Sequence, residues 1–124
     1  MIARTFLALS ALLWLPYGLY CLLVPGSLAQ AAGVLAHTPT GNTELRAMYG
    51  GLQAAIGVLA LVGALRGNVT RTALVTIGTL TLGLGSARLF GLLMDGGFTS
   101  YTGMGLGIEW TSALVSRWLL QRGK

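Results

Sequence analysis

Setting aside Arg4, Arg66, Arg71, Arg117, Arg122 and Lys124, which punctuate apolar runs, five charged residues remain: Glu44, Arg46, Arg88, Asp95 and Glu109. They include every acid in the chain. Arg88 and Glu109 carry the most information. The uncharged stretch before Arg88, Thr72 to Ala87, is 16 residues, and the one after Glu109, Trp110 to Ser116, is seven. Neither reaches the ~20 residues that span a bilayer, so both charges belong inside the apolar layer. At about 1.5 Å per residue, Arg88 falls roughly 9 Å below the outer end of its helix and Glu109 about 12 Å below the start of the next. A central charge costs about 2.5–3.5 kcal/mol on insertion scales, so each needs a partner. Their matching depths predict an Arg88–Glu109 ion pair.

Helical spacing enlarges the group. Arg46, Tyr49 and Gln53 stand at i, i+3 and i+7, Arg88 and Asp95 are seven apart, and Trp14, Tyr17 and Cys21 repeat the first spacing. Trp110 adjoins Glu109, and Ser112 or Ser116 extends the polar side of the last helix. Polar groups are therefore expected to converge from four helices. Three acids and two arginines sum to minus one if all are ionised, and burial beside a like charge favours one acid keeping its proton. Glu109 is the deepest and the one placed to hold it. Such a carboxyl can serve as a general acid or donate a hydrogen bond to a ligand oxygen.

The leading reading is a pocket for a small amphiphilic or lipid-like molecule. Arg46 and Arg88 hold its head; Tyr17, Glu44, Tyr49, Gln53, Asp95, Glu109 and Trp110 supply hydrogen bonds and walls, and apolar faces take the tail. An alternative is a membrane enzyme of the isomerase, cyclase or epoxide-opening type, with Glu109 or Asp95 as catalytic proton donor. A third reading is a structural or accessory subunit, in which the polar network only sets helix packing.

The elements that position these residues follow from composition. The chain has 124 residues, 54% hydrophobic and 9% charged, where a soluble domain carries about a quarter charged. A mean hydropathy of +0.74 points to lipid as the solvent. The formal charge of +5 does not indicate nucleic acid, because the basic residues form no solvated face. One cysteine, Cys21, makes no internal disulfide and reads as a small apolar filler. The length suits one transmembrane domain over residues 1–124, an all-α integral membrane four-helix bundle. Crossings are expected at about 5–24, 44–65, 72–94 and 101–120. Pro16 lies inside the first, for which a secretory signal peptide ending near Ser27-Leu28-Ala29 is the rival reading. Ser27 to Ala36 reads as a short interfacial helix between the first two crossings. Asn42 or Thr43 is expected to cap the second crossing, with Glu44 in its first turn. Arg66-Gly67-Asn68 ends it, and Asp95-Gly96-Gly97 ends the third.

The six set-aside basic residues fall on one side of such a bundle, whereas the loops Pro25 to Thr43 and Gly96 to Ser100 hold no Lys or Arg. Both termini are therefore expected in the cytoplasm. The Asn68-Val69-Thr70 sequon then faces inward and is discounted. Among the 19 glycines, Gly50 with Ala54, Gly83 with Ala87, Ala87 with Gly91, and Gly103 with Gly107 have the spacing of close helix contacts. These contacts serve within one chain or between copies, which leaves a homo-oligomer open. His37 is a lone loop histidine, so no metal is expected, and no motif calls for haem, flavin or nucleotide. Trp118, near Arg117 and Arg122, reads as an interfacial anchor.

The stretch Glu44-Leu-Arg-Ala-Met-Tyr-Gly-Gly-Leu-Gln53, with Arg88-Leu-Phe-Gly-Leu-Leu-Met-Asp-Gly96, resembles a family of small four-helix bacterial membrane proteins catalogued as a domain of unknown function. The similarity covers nearly the whole chain, on Glu44, Arg46, Tyr49, Gly50, Gly51, Gln53, Arg88 and Asp95. It implies a multi-pass protein of the bacterial inner membrane and supplies no activity. Small four-helix multidrug exporters are similar in length, but their resemblance requires a glutamate in the first helix, where this chain has no acid.

Overall fold

From Ile2 the chain meets its first strong helix stop at Pro25-Gly26, and the computed structural model forms one helix, α1, over Ile2–Leu23, with Pro16 inside it. Residues 1–123 are described; Lys124, grouped above with the inner basic residues, lies outside the described residues. A short helix, α2, covers Ser27–Ala32 and stops at Gly33, whose φ of 69° suits a residue without Cβ. It is shorter than the expected span to Ala36. The next helix, α3, runs over Pro39–Leu65 and contains a π-helical turn at Arg46–Gly51. Then follow α4, Gly67–Asp95, and α5, Ser100–Arg122.

The start of α3 corrects the sequence reading. Its cap is Thr38, not Asn42 or Thr43: the Thr38 hydroxyl accepts from the Gly41 N–H at 3.0 Å, and Pro39 takes the first helical position. Proline there loses no hydrogen bond and arrives with its φ already set, so Thr-Pro outcompetes the later polar pair. The Thr43 hydroxyl instead donates to the Pro39 carbonyl at 3.1 Å, and Glu44 lies beyond the first turn, exposed. The break expected around Arg66 to Arg71 shrinks to Arg66 alone, in extended conformation at φ −112° and ψ 110°. Helix α4 thus starts at Gly67, not Thr72. The Thr70 hydroxyl donates to the Gly63 carbonyl at 2.7 Å, serving an acceptor that the end of α3 leaves open.

Three helices, Ile2–Leu23, Pro39–Leu65 and Gly67–Asp95, are long and apolar enough to cross a membrane. Helix α5 has the length, at 23 residues, but Glu109, Arg117 and its serines and threonines lower its hydropathy. The pattern of exposure is that of a chain in lipid. Leu12, Leu93, Phe90 and Leu114 are more than 60% exposed, while Ser10, Gln53, Thr81, Glu109, Ser112 and Ser116 are buried. Water would penalise that arrangement twice; hydrocarbon favours it, because there polar groups must turn inward.

The chain forms two compact units, the first Met1–Thr70 and the second from Arg71 onward. In the first, α1 and α3 run antiparallel in one fixed register. A Cβ added to Gly57 would lie 2.5 Å from the Leu15 nitrogen, one on Gly50 would lie 2.6 Å from the Leu22 Cα, and one on Gly18 would collide with the Ala54 backbone. Each helix also caps the other. Arg4 donates from Nε to the Ala64 carbonyl at 2.5 Å and from Nη2 to the Leu65 carbonyl at 2.8 Å, while Arg46 donates to the carbonyls of Leu22 and Leu23. A cation at each helix C-terminus satisfies orphan acceptors and complements the macrodipole.

In the second unit, Gly96 and Gly97 turn the chain at φ 71° and 78°, and the Thr99 hydroxyl accepts from the Thr102 N–H at 3.2 Å to start α5. Gly78 and Gly85 admit Ser116 and Trp110 of α5. At Gly83, Gly91 and Gly107 no expected contact is seen among the described residues, with no atom within 4 Å of a Cβ built there, and the atoms nearest a Cβ at Gly103 are those of the Phe98 ring. Four-residue spacing selects a face of a helix but does not say whether that face meets a helix or lipid.

The contrast is testable by thermal unfolding in detergent. Gly57→Ala must push two backbones apart and is expected to cost about 1–3 kcal/mol, whereas Gly91→Ala, with open space at its Cβ, is expected within about 0.5 kcal/mol of wild type.

Candidate functional site

The ion pair read from matching depths is formed, inside the second unit. Arg88 Nη2 lies 2.7 Å from Glu109 Oε1, and Arg88 Nε donates to Oε2 at 3.0 Å and to Oε1 at 3.3 Å. The guanidinium edge therefore engages both carboxylate oxygens, the geometry in which arginine and carboxylate bind best. Glu109 is the enclosed partner, its side chain 4% exposed against 27% for Arg88. The Arg88 Cζ also stands 5.8 Å from the centroid of the Tyr101 ring.

Glycines make room for this group. A Cβ on Gly105 would lie 2.8 Å from Arg88 Nε, so the guanidinium lies against the bare backbone of α5. On α4, a Cβ at Gly85 would lie 3.0 Å from the Trp110 ring and 3.3 Å from the Glu109 Cβ. Gly85, Tyr101 and Gly105 were not among the residues singled out by sequence. A signal existed: Tyr101, Gly105, Glu109 and Ser112 recur at i, i+4, i+8 and i+11, one face of α5.

The other expected site residues fall into place separately. Asp95 closes α4, exposed, and seven residues beyond Arg88; along the helix that is roughly 10 Å. Trp110 is half-buried beside Gly85. In the first unit, Arg46 is exposed and engaged with the end of α1, Tyr49 is half-buried and Gln53 is buried. Sharing one face assumed an unbroken 3.6-residue period, and the π-helical turn Arg46–Gly51 inserts a residue that rotates what precedes it relative to Gln53. Tyr17 is half-buried and hydrogen-bonds the buried Cys21, while Glu44 is exposed. Two buried polar atoms of this unit, Trp14 Nε1 and Gln53 Oε1, have no hydrogen-bond partner among the described residues. No cluster of three metal-binding side chains occurs among the described residues.

What the arrangement can do follows from which atoms are already engaged. Glu109 has both oxygens on one guanidinium, so part of its acceptor capacity is already taken. Arg88 keeps part of its surface exposed and is held at a fixed angle by Glu109. Removing one partner strands a buried charge, so Arg88→Gln is expected to cost about 3–5 kcal/mol, and the R88Q/E109Q double variant less than the sum of the singles. A double-mutant cycle by detergent-based unfolding measures that coupling.

No curated protein and no solved structure matches the chain. A family model described as Domain of unknown function (DUF4345) matches residues 2–120. That is nearly the whole chain, with both partners of the Arg88–Glu109 bridge inside it, and the protein belongs to this family of membrane-type helical proteins of unknown function.

Proposed function

We propose that this protein crosses the bilayer four times, with both termini cytoplasmic, and binds a small amphiphilic molecule through the exposed part of the Arg88 guanidinium. The observation that carries the reading is the two-point Arg88–Glu109 bridge, which fixes the guanidinium while leaving its side chain 27% exposed. A preorganised donor of this kind needs no rotamer ordering on binding, which lowers the entropic cost of holding a ligand. Because the bridge is neutral as a pair, it suits a polar or weakly anionic head better than a multiply charged one. Tyr101 lies beside the guanidinium, and the exposed Leu89, Phe90 and Leu93 of α4 offer the tail an apolar wall.

The orientation rests on where basic residues gather. In the first unit Arg4 and Arg66 share the end at which α1 starts and α3 finishes. In the second, Arg71 lies at the start of α4 and Arg117 and Arg122 at the finish of the antiparallel α5. Positive charge at these ends supports a cytoplasmic side for them. A catalytic role for Glu109 or Asp95 is the weaker reading, since one is engaged by Arg88 and the other lies apart at a helix end.

Two measurements check the proposal. Single cysteines introduced as His37→Cys and Asn68→Cys are expected to react with an impermeant maleimide from opposite sides of sealed vesicles; labelling from one side overturns the topology. For binding, thermal unfolding is followed with a panel of monoacylglycerols and fatty acids. A ligand at about a hundred times its Kd stabilises by about 2.7 kcal/mol, and Arg88→Lys, which keeps the charge and loses the two-point geometry, is expected to abolish the gain. No stabilisation by any member, or equal stabilisation of the lysine variant, leaves the bridge as a helix clasp alone.

A further inference from the structure

The end of the second unit remote from the Arg88–Glu109 bridge carries two arginines, Arg71 and Arg117, with no acid against them among the described residues. A groove of about 470 Å³ runs there between α4 and α5, with Arg71 and Arg117 on its lining and Leu74, Leu82 and Leu114 along its apolar wall. Both arginines are exposed, and neither makes a hydrogen bond or ion pair among the described residues. The unit offers them no acid: Glu109 is engaged by Arg88, and Asp95 lies 24 residues along α4 from Arg71, roughly 36 Å away.

Three further observations bear on what fills it. Gly78 packs against Ser116, and this antiparallel register sets Arg71 and Arg117 roughly 9 Å apart along the axis, within joint reach of one phosphate. Ser116 also lines the groove; it is fully buried, and its hydroxyl has no hydrogen-bond partner among the described residues. At the same end Arg122 stacks on Trp118, 4.0 Å from guanidinium carbon to ring centroid, a pairing suited to the level where hydrocarbon meets headgroups. Unpaired guanidiniums at that level, an apolar wall running inward and one unmet hydroxyl between them match a molecule with an anionic head, an ester layer and a hydrocarbon chain.

We infer that the α4–α5 groove binds an anionic phospholipid, with Arg71 and Arg117 on the phosphodiester, the Ser116 hydroxyl donating to a glycerol-ester carbonyl and one acyl chain along Leu74 and Leu82. Basic pockets between membrane helices select anionic lipids in this way. The groove reaches Trp110 at its inner end, beside Glu109, but its two arginines are not those of the Arg88 cluster, and the inference stands whether or not that cluster binds a ligand.

Lipid retention is read by native mass spectrometry on the full chain in mild detergent, titrated with phosphatidylglycerol or phosphatidylcholine of matched chains. Wild type is expected to prefer phosphatidylglycerol about tenfold or more. The R71Q/R117Q variant is expected to fall to within about twofold of no preference, while R66Q/R122Q, which removes equal charge outside the groove, keeps most of it. Ser116→Ala is expected to weaken both lipids about threefold, through the ester carbonyl they share, and to leave the preference for phosphatidylglycerol in place. Excess glycerol 1-phosphate is expected not to displace the lipid. Absence of preference in the wild type overturns the inference even if a variant fails to fold. Equal loss in the two double variants overturns it in favour of diffuse surface charge, and displacement by glycerol 1-phosphate overturns it in favour of a site for soluble phosphate.

Discussion

Hydrocarbon offers no hydrogen bonds, and that deficit governs where each polar atom of this chain lies. The helices expose leucine and phenylalanine outward and bury serine, threonine, glutamine and glutamate. With water removed as a competitor, a guanidinium turns to backbone carbonyls, a carboxylate, an aromatic face or the lipid headgroups. The arginines of this protein divide along those lines. Arg4 and Arg46 take helix-terminal carbonyls, Arg88 takes Glu109, and Arg71 and Arg117 face outward at a helix-pair end.

The reciprocal caps of α1 and α3 follow from the same deficit. An antiparallel pair places the start of each helix beside the finish of the other, so one long basic side chain near each start reaches carbonyls that would otherwise go unsatisfied. Gly18, Gly50 and Gly57 bring the backbones close enough for that reach. Close approach also supplies the dispersion contacts that hold helices together when no hydrophobic drive exists between them. In the second unit the same division of labour recurs with different parts: Gly85 and Gly105 clear space, and a side-chain bridge replaces the backbone caps.

Legibility varied with the range of the physics involved. The Arg88–Glu109 pair was readable because both residues interrupt runs too short to span alone, so insertion cost by itself demanded partners at matching depth. The short helix α2 was readable from its apolar spacing, but its end was not: the expected span ran to Ala36, and Gly33 stops it at Ala32. The cap of α3 was not: Thr38, Asn42 and Thr43 are all competent, and the decision lay in the preset φ of Pro39. The π-helical turn at Arg46–Gly51 was also invisible, since nothing in a 3.6-residue period announces an inserted residue. It falls between Arg46 and Gln53, so their seven-residue spacing is not that of a regular α-helix.

Apolar length, the grouping of basic residues and the depth of buried charge are properties of single segments against a solvent, and the sequence alone determined them. Which glycines touch a neighbour, which carbonyls an arginine reaches and which hydroxyl is left without a partner were decided only by tertiary structure. Gly57 and Gly91 look alike in their segments, yet one abuts the Leu15 backbone and the other faces open space. The reason is that contact depends on the register and rotation of two helices at once, and no local pattern within either helix encodes that pair of variables.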